Sequence, residues 1–336
     1  MRRARAGLEF VPLAEIGDRP NVMADGAALA STVLTLSHWP GSTTPAPLRH
    51  DLSAGMAFRY LRSRRRWPAA AAVTSDHFDQ DGLVTLAALT APESALAAED
   101  ALLAVAEAGD FVRGRDLRAA RVSFALASLA ERRDGADDAN PALAGTLHRE
   151  ALALLPELLA RPERYAELWG EEDRFLGASE EALRGGAVTL SDVPEVDLVV
   201  VSVQPGATAP GRAAQFTHRR TTPVHPMAVH NRSDRTRVLI VAPPRYELYF
   251  RYETWVQLVS RRPPARVDLA GLAGELTALE PSGGKWTFSG AGATVARLGP
   301  AGGTSELSPE VVRPLVTDAL ARGRPAWDPY AAPRPG

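Results

Sequence analysis

Cysteine is missing from all 336 positions. That absence excludes disulfides, thiolate nucleophiles and cysteine-ligated zinc or iron–sulfur centres, so any metal must sit on oxygen and imidazole. Long apolar runs are missing too: no window approaches the ~18 uninterrupted apolar residues that a bilayer-spanning helix needs. The start, MRRARAGLEFVPL, is basic but has no apolar stretch of signal-peptide length. The expectation is a cytoplasmic protein with no membrane partner. Charge of one sign is lacking as well, with 38 Lys+Arg against 40 Asp+Glu. A net charge of −2 sets up no global field that recruits polyanions, and no clear nucleic-acid surface is legible. GxxxxGK[ST], a strand-linked GxGxxG and Gly-x-Ser-x-Gly are all absent, which removes the P-loop, Rossmann and nucleophile-elbow readings.

What is present, 45% hydrophobic and 23% charged residues, suits a globular chain able to bury a core, with about two domains for this length. NVMADG (21–26) and TVLTLSHWPG (32–41) are apolar runs that end in polar residues and a turn, as strands do. DLSAGMAFRYLR (51–62) carries an N-cap candidate and helical spacing. AAAAVTS (69–75) reads as a third strand, and 82–90 opens another helix. This order predicts an α/β fold: a mostly parallel sheet with flanking helices over 1–130. Helices continue through 131–187 around a loop at 132–141. A second, β-rich α+β domain follows over 188–322, with strands expected at 227–230 and 254–259 among others. The tail, 323–336, reads as disordered.

The chemistry concentrates at three strand ends. SDHFDQDG (75–82) places His77, Asp79 and Asp81 at spacing two, and an extended backbone would turn all three to one side. Carboxylates this close repel unless solvated, protonated or neutralised by a cation. Asp25 ends the first strand and His38 the second, and in a parallel sheet neighbouring ends lie ~4.8 Å apart. Asp110, in AEAGDF, adds a further carboxylate from a helix end. The pooled set, Asp25, His38, His77, Asp79, Asp81 and Asp110, suits a hard cation such as Mn²⁺, Mg²⁺ or Fe²⁺. The plainer alternatives are a solvated Asp-rich loop that complements a helix dipole, and a turn-forming Asp-Gly at Asp25.

Farther on, THRRTTPVHPMAVHNRSDR (217–235) gathers arginines and histidines. Arg219, Arg220 and His225 are candidates for binding a small anionic substrate, because guanidinium suits bidentate phosphate recognition. An ordinary basic surface loop fits the same residues.

HFDQDGLVTLAAL (77–89) resembles the first motif of the DHH phosphoesterase superfamily, an acidic run that opens a helix. VLTLSHWPGSTTPAPLRHDLSAGMAFRYL (33–61) resembles that superfamily's DHH strand end, with Ser37-His38-Trp39 in the slot of Asp-His-His. NVMADG resembles its lone-aspartate motif, with Asp25 as ligand. The order is permuted, because the lone Asp and DHH-like motifs precede the acidic run. The same region also resembles an uncharacterised bacterial family of unknown function with LSHWPGS and HFDxDGL signatures.

The DHH resemblance implies a divalent-metal-dependent hydrolase of a phosphorylated or nucleotide-like small molecule, with Asp25, His38 and Asp79 as catalytic residues. It implies Asp25 as the bridging ligand, His77 and Asp79 on one cation, and Asp81, His38 and Asp110 on the other. Ser37 and Trp39 depart from the triplet, so a non-catalytic, degenerate binding protein of the same ancestry is the alternative.

Overall fold

The computed structural model of the chain describes residues 7–134, 141–281 and 283–331. Its elements begin β1 (Glu9–Phe10), α1 (Leu13–Ile16), β2 (Asn21–Ala24), β3 (Thr32–Leu36), α2 (Ser53–Arg62), β4 (Ala72–Thr74) and α3 (Gln80–Thr90). Helices α4 (Pro92–Ala97), α5 (Glu99–Asp110), α6 (Leu117–Asp134), α7 (Pro141–Ala160) and α8 (Ala166–Arg184) follow. Then come β5 (Val188–Val193), β6 (Leu198–Val203), β7 (Gly211–Gln215), β8 (His218–Thr222), α9 (Pro226–His230), β9 (Arg237–Ala242) and β10 (Arg245–Phe250). The chain finishes with β11 (Arg266–Val267), α10 (Ala270–Leu279), β12 (Trp286–Phe288), β13 (Arg297–Pro300), α11 (Pro309–Arg322) and β14 (Pro325–Trp327). No helix among the described residues is long and apolar enough to cross a membrane.

Two compact units result. The first runs to Arg174 and adds Arg212–Arg220 and Leu258–Arg261. Its four-stranded sheet has the order β1-β4-β2-β3, and every pairing is parallel. Val22, Met23 and Ala24 of β2 are all buried, the near-continuous apolar run of a strand covered on both faces. The order places β2 between β3 and β4, so whatever ends β2 is flanked by the ends of both neighbours.

The second unit comprises Phe175–Gly211, Thr221–Gln257 and the chain from Arg262 on. Its six-stranded sheet, β12-β13-β10-β9-β6-β5, is antiparallel except where β6 pairs with β9. Alternate residues serve opposite faces: Val200, Leu239 and Leu248 pack with Leu276 of α10 and Val316 of α11, whereas Val199, Val238 and Tyr249 pack with Val229 of α9.

Several expectations need correction. The helices after residue 130 do not stand apart up to 187. The His148 ring of α7 lies between Phe10 and Phe78, and Arg121 makes two hydrogen bonds, of 2.9 and 3.0 Å, to Asp173, so the chain as far as Arg174 joins the first unit. Residues 132–134 of the expected loop end α6, and 135–140 lie outside the described residues. Residues 227–230 are helical rather than extended, because Pro226 sits in the first turn and His225 Nδ1 accepts from Met227 N. Residues 254–259 form no strand. The tail is ordered as far as residue 331: β14 pairs with β11, and Trp327 stacks on Trp255 with centroids 6.0 Å apart. Residues 332–336 lie outside the described residues.

Candidate metal centre

Asp25 follows β2 directly, with φ of 49°, in the left-handed region that aspartate tolerates better than most side chains. This turn aims the carboxylate back between the two neighbouring strand ends. Its two oxygens face different histidines. Oδ1 lies 3.5 Å from His38 Nε2, and Oδ2 lies 3.7 Å from His77 Nε2. Two groups of potential ligands result, Asp25-His38-Asp81 and Asp25-His77-Asp79, with Asp25 common to both. Asp110 Oδ2 lies 3.4 Å from His38 Nε2 and Asp81 Oδ2 lies 4.0 Å from it, while Asp79 Oδ2 is 3.0 Å from His77 Nε2. Ligands held ~2.1 Å from a shared cation stand ~3.0–3.4 Å apart, which is close to these spacings.

Each imidazole is oriented from behind. His38 Nδ1 lies 2.6 Å from the carbonyl oxygen of Asp51, and His77 Nδ1 lies 2.7 Å from Asp76 Oδ1. These contacts turn both Nε2 atoms inward, an arrangement that metal-binding histidines share. Asp76 is in turn held by the amide of Ala27, which donates to its Oδ2 at 3.0 Å. Glycine at position 26 makes this possible, since a Cβ there would meet Asp76 Oδ1 at 2.4 Å. The Trp39 ring packs on the His77 ring, with centroids 4.9 Å apart.

The acidic run does not work by strand alternation as its spacing predicts. Asp79 is the N-cap of α3, its Oδ1 accepting from Gly82 N at 2.7 Å, and Asp81 lies inside the first helical turn. The strand ends at Thr74, so the helix start, rather than an extended backbone, brings the two carboxylates together. The opening of α2 meets them: Ser53 N and Ala54 N donate to Asp81 Oδ2 and Oδ1 at 2.7 and 2.8 Å, and Ser53 Oγ donates to Asp25 Oδ1 at 2.5 Å. Asp25 Oδ2 is buried and accepts no hydrogen bond.

Asp25, His38, Asp81 and Asp110 are at most 1% exposed and Asp79 is 2% exposed, so water does little to separate their charges. Burial, with Asp79 and Asp81 alongside, holds the Asp25 carboxyl well above its usual range. Burial and Asp79 push Asp81 up to about 7. Burial lowers His38 to about 4, so the ring is neutral and able to act as a ligand at neutral pH. Burial opposes ionisation of Asp79, but His77 outweighs it and brings that carboxyl down. Carboxylates and imidazoles crowded in this way suit a hard divalent cation, which would neutralise the acids and engage the unpartnered Asp25 oxygen.

Strained backbone surrounds the cluster. Besides Asp25, Val112 (φ 48°) and Phe216 (φ 55°) are left-handed, and Val112 is β-branched. Val112 stands two residues after Asp110. Phe216 is at the tip of the β7–β8 hairpin, where its amide donates to Gly109 O at 3.4 Å and its carbonyl accepts from Gln80 Nε2 at 3.1 Å.

A family model described as a family of unknown function (DUF6687) matches residues 6–331. The chain belongs to that family. No curated protein and no solved structure matches it.

In this DUF6687 chain the remaining candidates belong to neither group of potential ligands. Arg219 and Arg220 belong to the first unit, not to the β-rich one. Arg219 is tied to Glu172 and Glu131 at 3.0 and 3.1 Å and donates to Phe124 O and Ser128 Oγ, so its charge is already compensated. Arg220 is exposed on β8. His225 belongs to the second unit, is fully buried, and caps α9. Sequence reasoning missed Asp76, Asp51 and Ser53 as supports of the cluster. Asp76 stood in the acidic run and Asp51 before α2, but nothing in their spacing marks which side chain or carbonyl meets a histidine.

Proposed function

We propose that this DUF6687 chain is a divalent-metal-dependent hydrolase, phosphoesterase-like, acting on a phosphorylated or nucleotide-like small molecule. The observation that carries this reading is the division of the Asp25 carboxylate, one oxygen toward each histidine. That is the relationship a bridging ligand needs. His77, Asp79 and Asp25 would hold one Mn²⁺ or Mg²⁺, and Asp81, His38, Asp110 and Asp25 a second. Such ions supply Lewis acidity toward a phosphoryl oxygen and lower the pKa of water.

The chain's own groups do the rest. Asp76 and the Asp51 carbonyl fix the two rings, so that little reorganisation remains when a substrate arrives. Burial of the carboxylates keeps bulk water from screening their charges.

The test is hydrolysis of bis(p-nitrophenyl) phosphate and of p-nitrophenyl phosphate by the full chain with Mn²⁺. Turnover that needs Mn²⁺ and falls at least ~100-fold in Asp79→Ala and Asp25→Ala supports the reading. Turnover unaffected by a chelator, or equal to the parent's in either variant, contradicts it.

A further inference from the structure

A cavity of about 500 Å³ opens beside α2, outside the carboxylate cluster. That volume falls within the ~300–1,000 Å³ of small-molecule sites. Its floor is apolar: Leu48 and Phe58 are 1% and 2% exposed, and Leu103 of α5 adds to them. Its rim is polar. Arg62 is paired with Glu99, so those two charges cancel. Arg59, also on the rim, donates to the backbone oxygen of Arg49 and has no carboxylate partner among the described residues. The cavity therefore presents one uncompensated guanidinium above an apolar floor. Exposed Arg64 and Arg66, just past the end of α2, raise the positive potential nearby.

The backbone is shaped around this cavity. His50 lies on its wall, with Nδ1 accepting from Leu52 N at 3.1 Å, which leaves the ring proton on Nε2 as a donor. The ring rests on Gly55, where a Cβ would meet His50 Nδ1 at 2.1 Å. Any larger residue at 55 would expel the imidazole. Between these two residues, Ser53 and Ala54 hold Asp81. The cavity and the cluster thus lie along one stretch of chain and share no side chain.

We infer that this cavity binds a small organic anion with an apolar body, its charged group on Arg59 and its body on Leu48, Phe58 and Leu103. The inference stands whether or not the cluster is catalytic. The probe is 8-anilinonaphthalene-1-sulfonate, an aromatic sulfonate with no phosphate to hydrolyse, titrated by fluorescence into the full chain in excess chelator. One saturable site is expected. Arg59→Ala should weaken it by about tenfold or more, Arg59→Lys by less, and Leu103→Trp should abolish it while each variant keeps a cooperative melt. Asp79→Asn should leave it unchanged. Non-saturable binding, an Arg59→Ala or Leu103→Trp titration superimposable on the parent, or loss of binding in Asp79→Asn would overturn the inference.

Discussion

Asp76 Oδ1 stands 2.7 Å from His77 Nδ1, and Nε2 of the same ring points at Asp79 and Asp25. The carboxylate that orients the ring is thus separate from those that would share a cation with it. Asp76→Ala should lower Mn²⁺ affinity by about 10–100-fold with little effect on secondary structure. Gly26→Ala should do the same, because its new methyl group would occupy the space of the Asp76 carboxylate. Isothermal titration with Mn²⁺ measures both, and parent-like affinity in either would remove Asp76 from the account.

Ser53 supports the cluster from the other side. Its hydroxyl donates to Asp25 and accepts from His38 N at 3.3 Å, all within a fully buried site. Ser53→Ala leaves the Asp81 contact of its amide intact but strips a donor from one buried group and an acceptor from another. The expected cost is about 1–3 kcal/mol in urea unfolding of the metal-free protein. A change below ~0.5 kcal/mol, the range of an ordinary surface substitution, would show that Asp25 does not depend on it.

The buried groups set opposite limits of pH. Asp81, raised to about 7, holds its proton more tightly when folded than when unfolded, so its contribution to stability is lost as pH rises through about 7. His38, lowered to about 4, takes up its proton more readily when unfolded, so stability is lost as pH falls from 6.5 toward 4. Between about pH 4 and 6.5 the two effects offset each other, so the urea midpoint of the metal-free protein should be level there and fall as pH rises from about 6.5 to 7. Mn²⁺ competes with the Asp81 proton, so its stabilising effect should grow between about pH 6 and 8. A midpoint that is flat across this range, or a Mn²⁺ effect that shrinks as pH rises, contradicts the assignment.

The parallel sheet and the strand ends carrying Asp25 and His38 are legible because each is written locally, as an apolar run stopped by a polar turn. The gathering of those ends needs only the parallel order, which the strand–helix alternation supplies. Less legible is anything decided by distant partners. Arg219 reads as a free cation until Glu172, 47 positions away, folds against it. Asp51 contributes a carbonyl rather than its side chain to His38, so its residue type carries no signal. Residues 325–327 look like a Pro-rich tail, and only their pairing with 266–267 makes them a strand. The spacing of Asp79 and Asp81 predicts an extended backbone and instead spans a helix start, because Asp79 serves as the N-cap.

The account rests on two cation positions that share Asp25, and the most direct measurement is metal content. The full chain would be loaded with Mn²⁺, freed of excess by gel filtration and analysed by inductively coupled plasma mass spectrometry, beside Asp25→Asn, His38→Ala and His77→Ala. The account predicts two ions per parent chain, one in each histidine variant, and one or none in Asp25→Asn. A parent chain that emerges with no Mn²⁺, or an Asp25→Asn variant that keeps both ions, contradicts it.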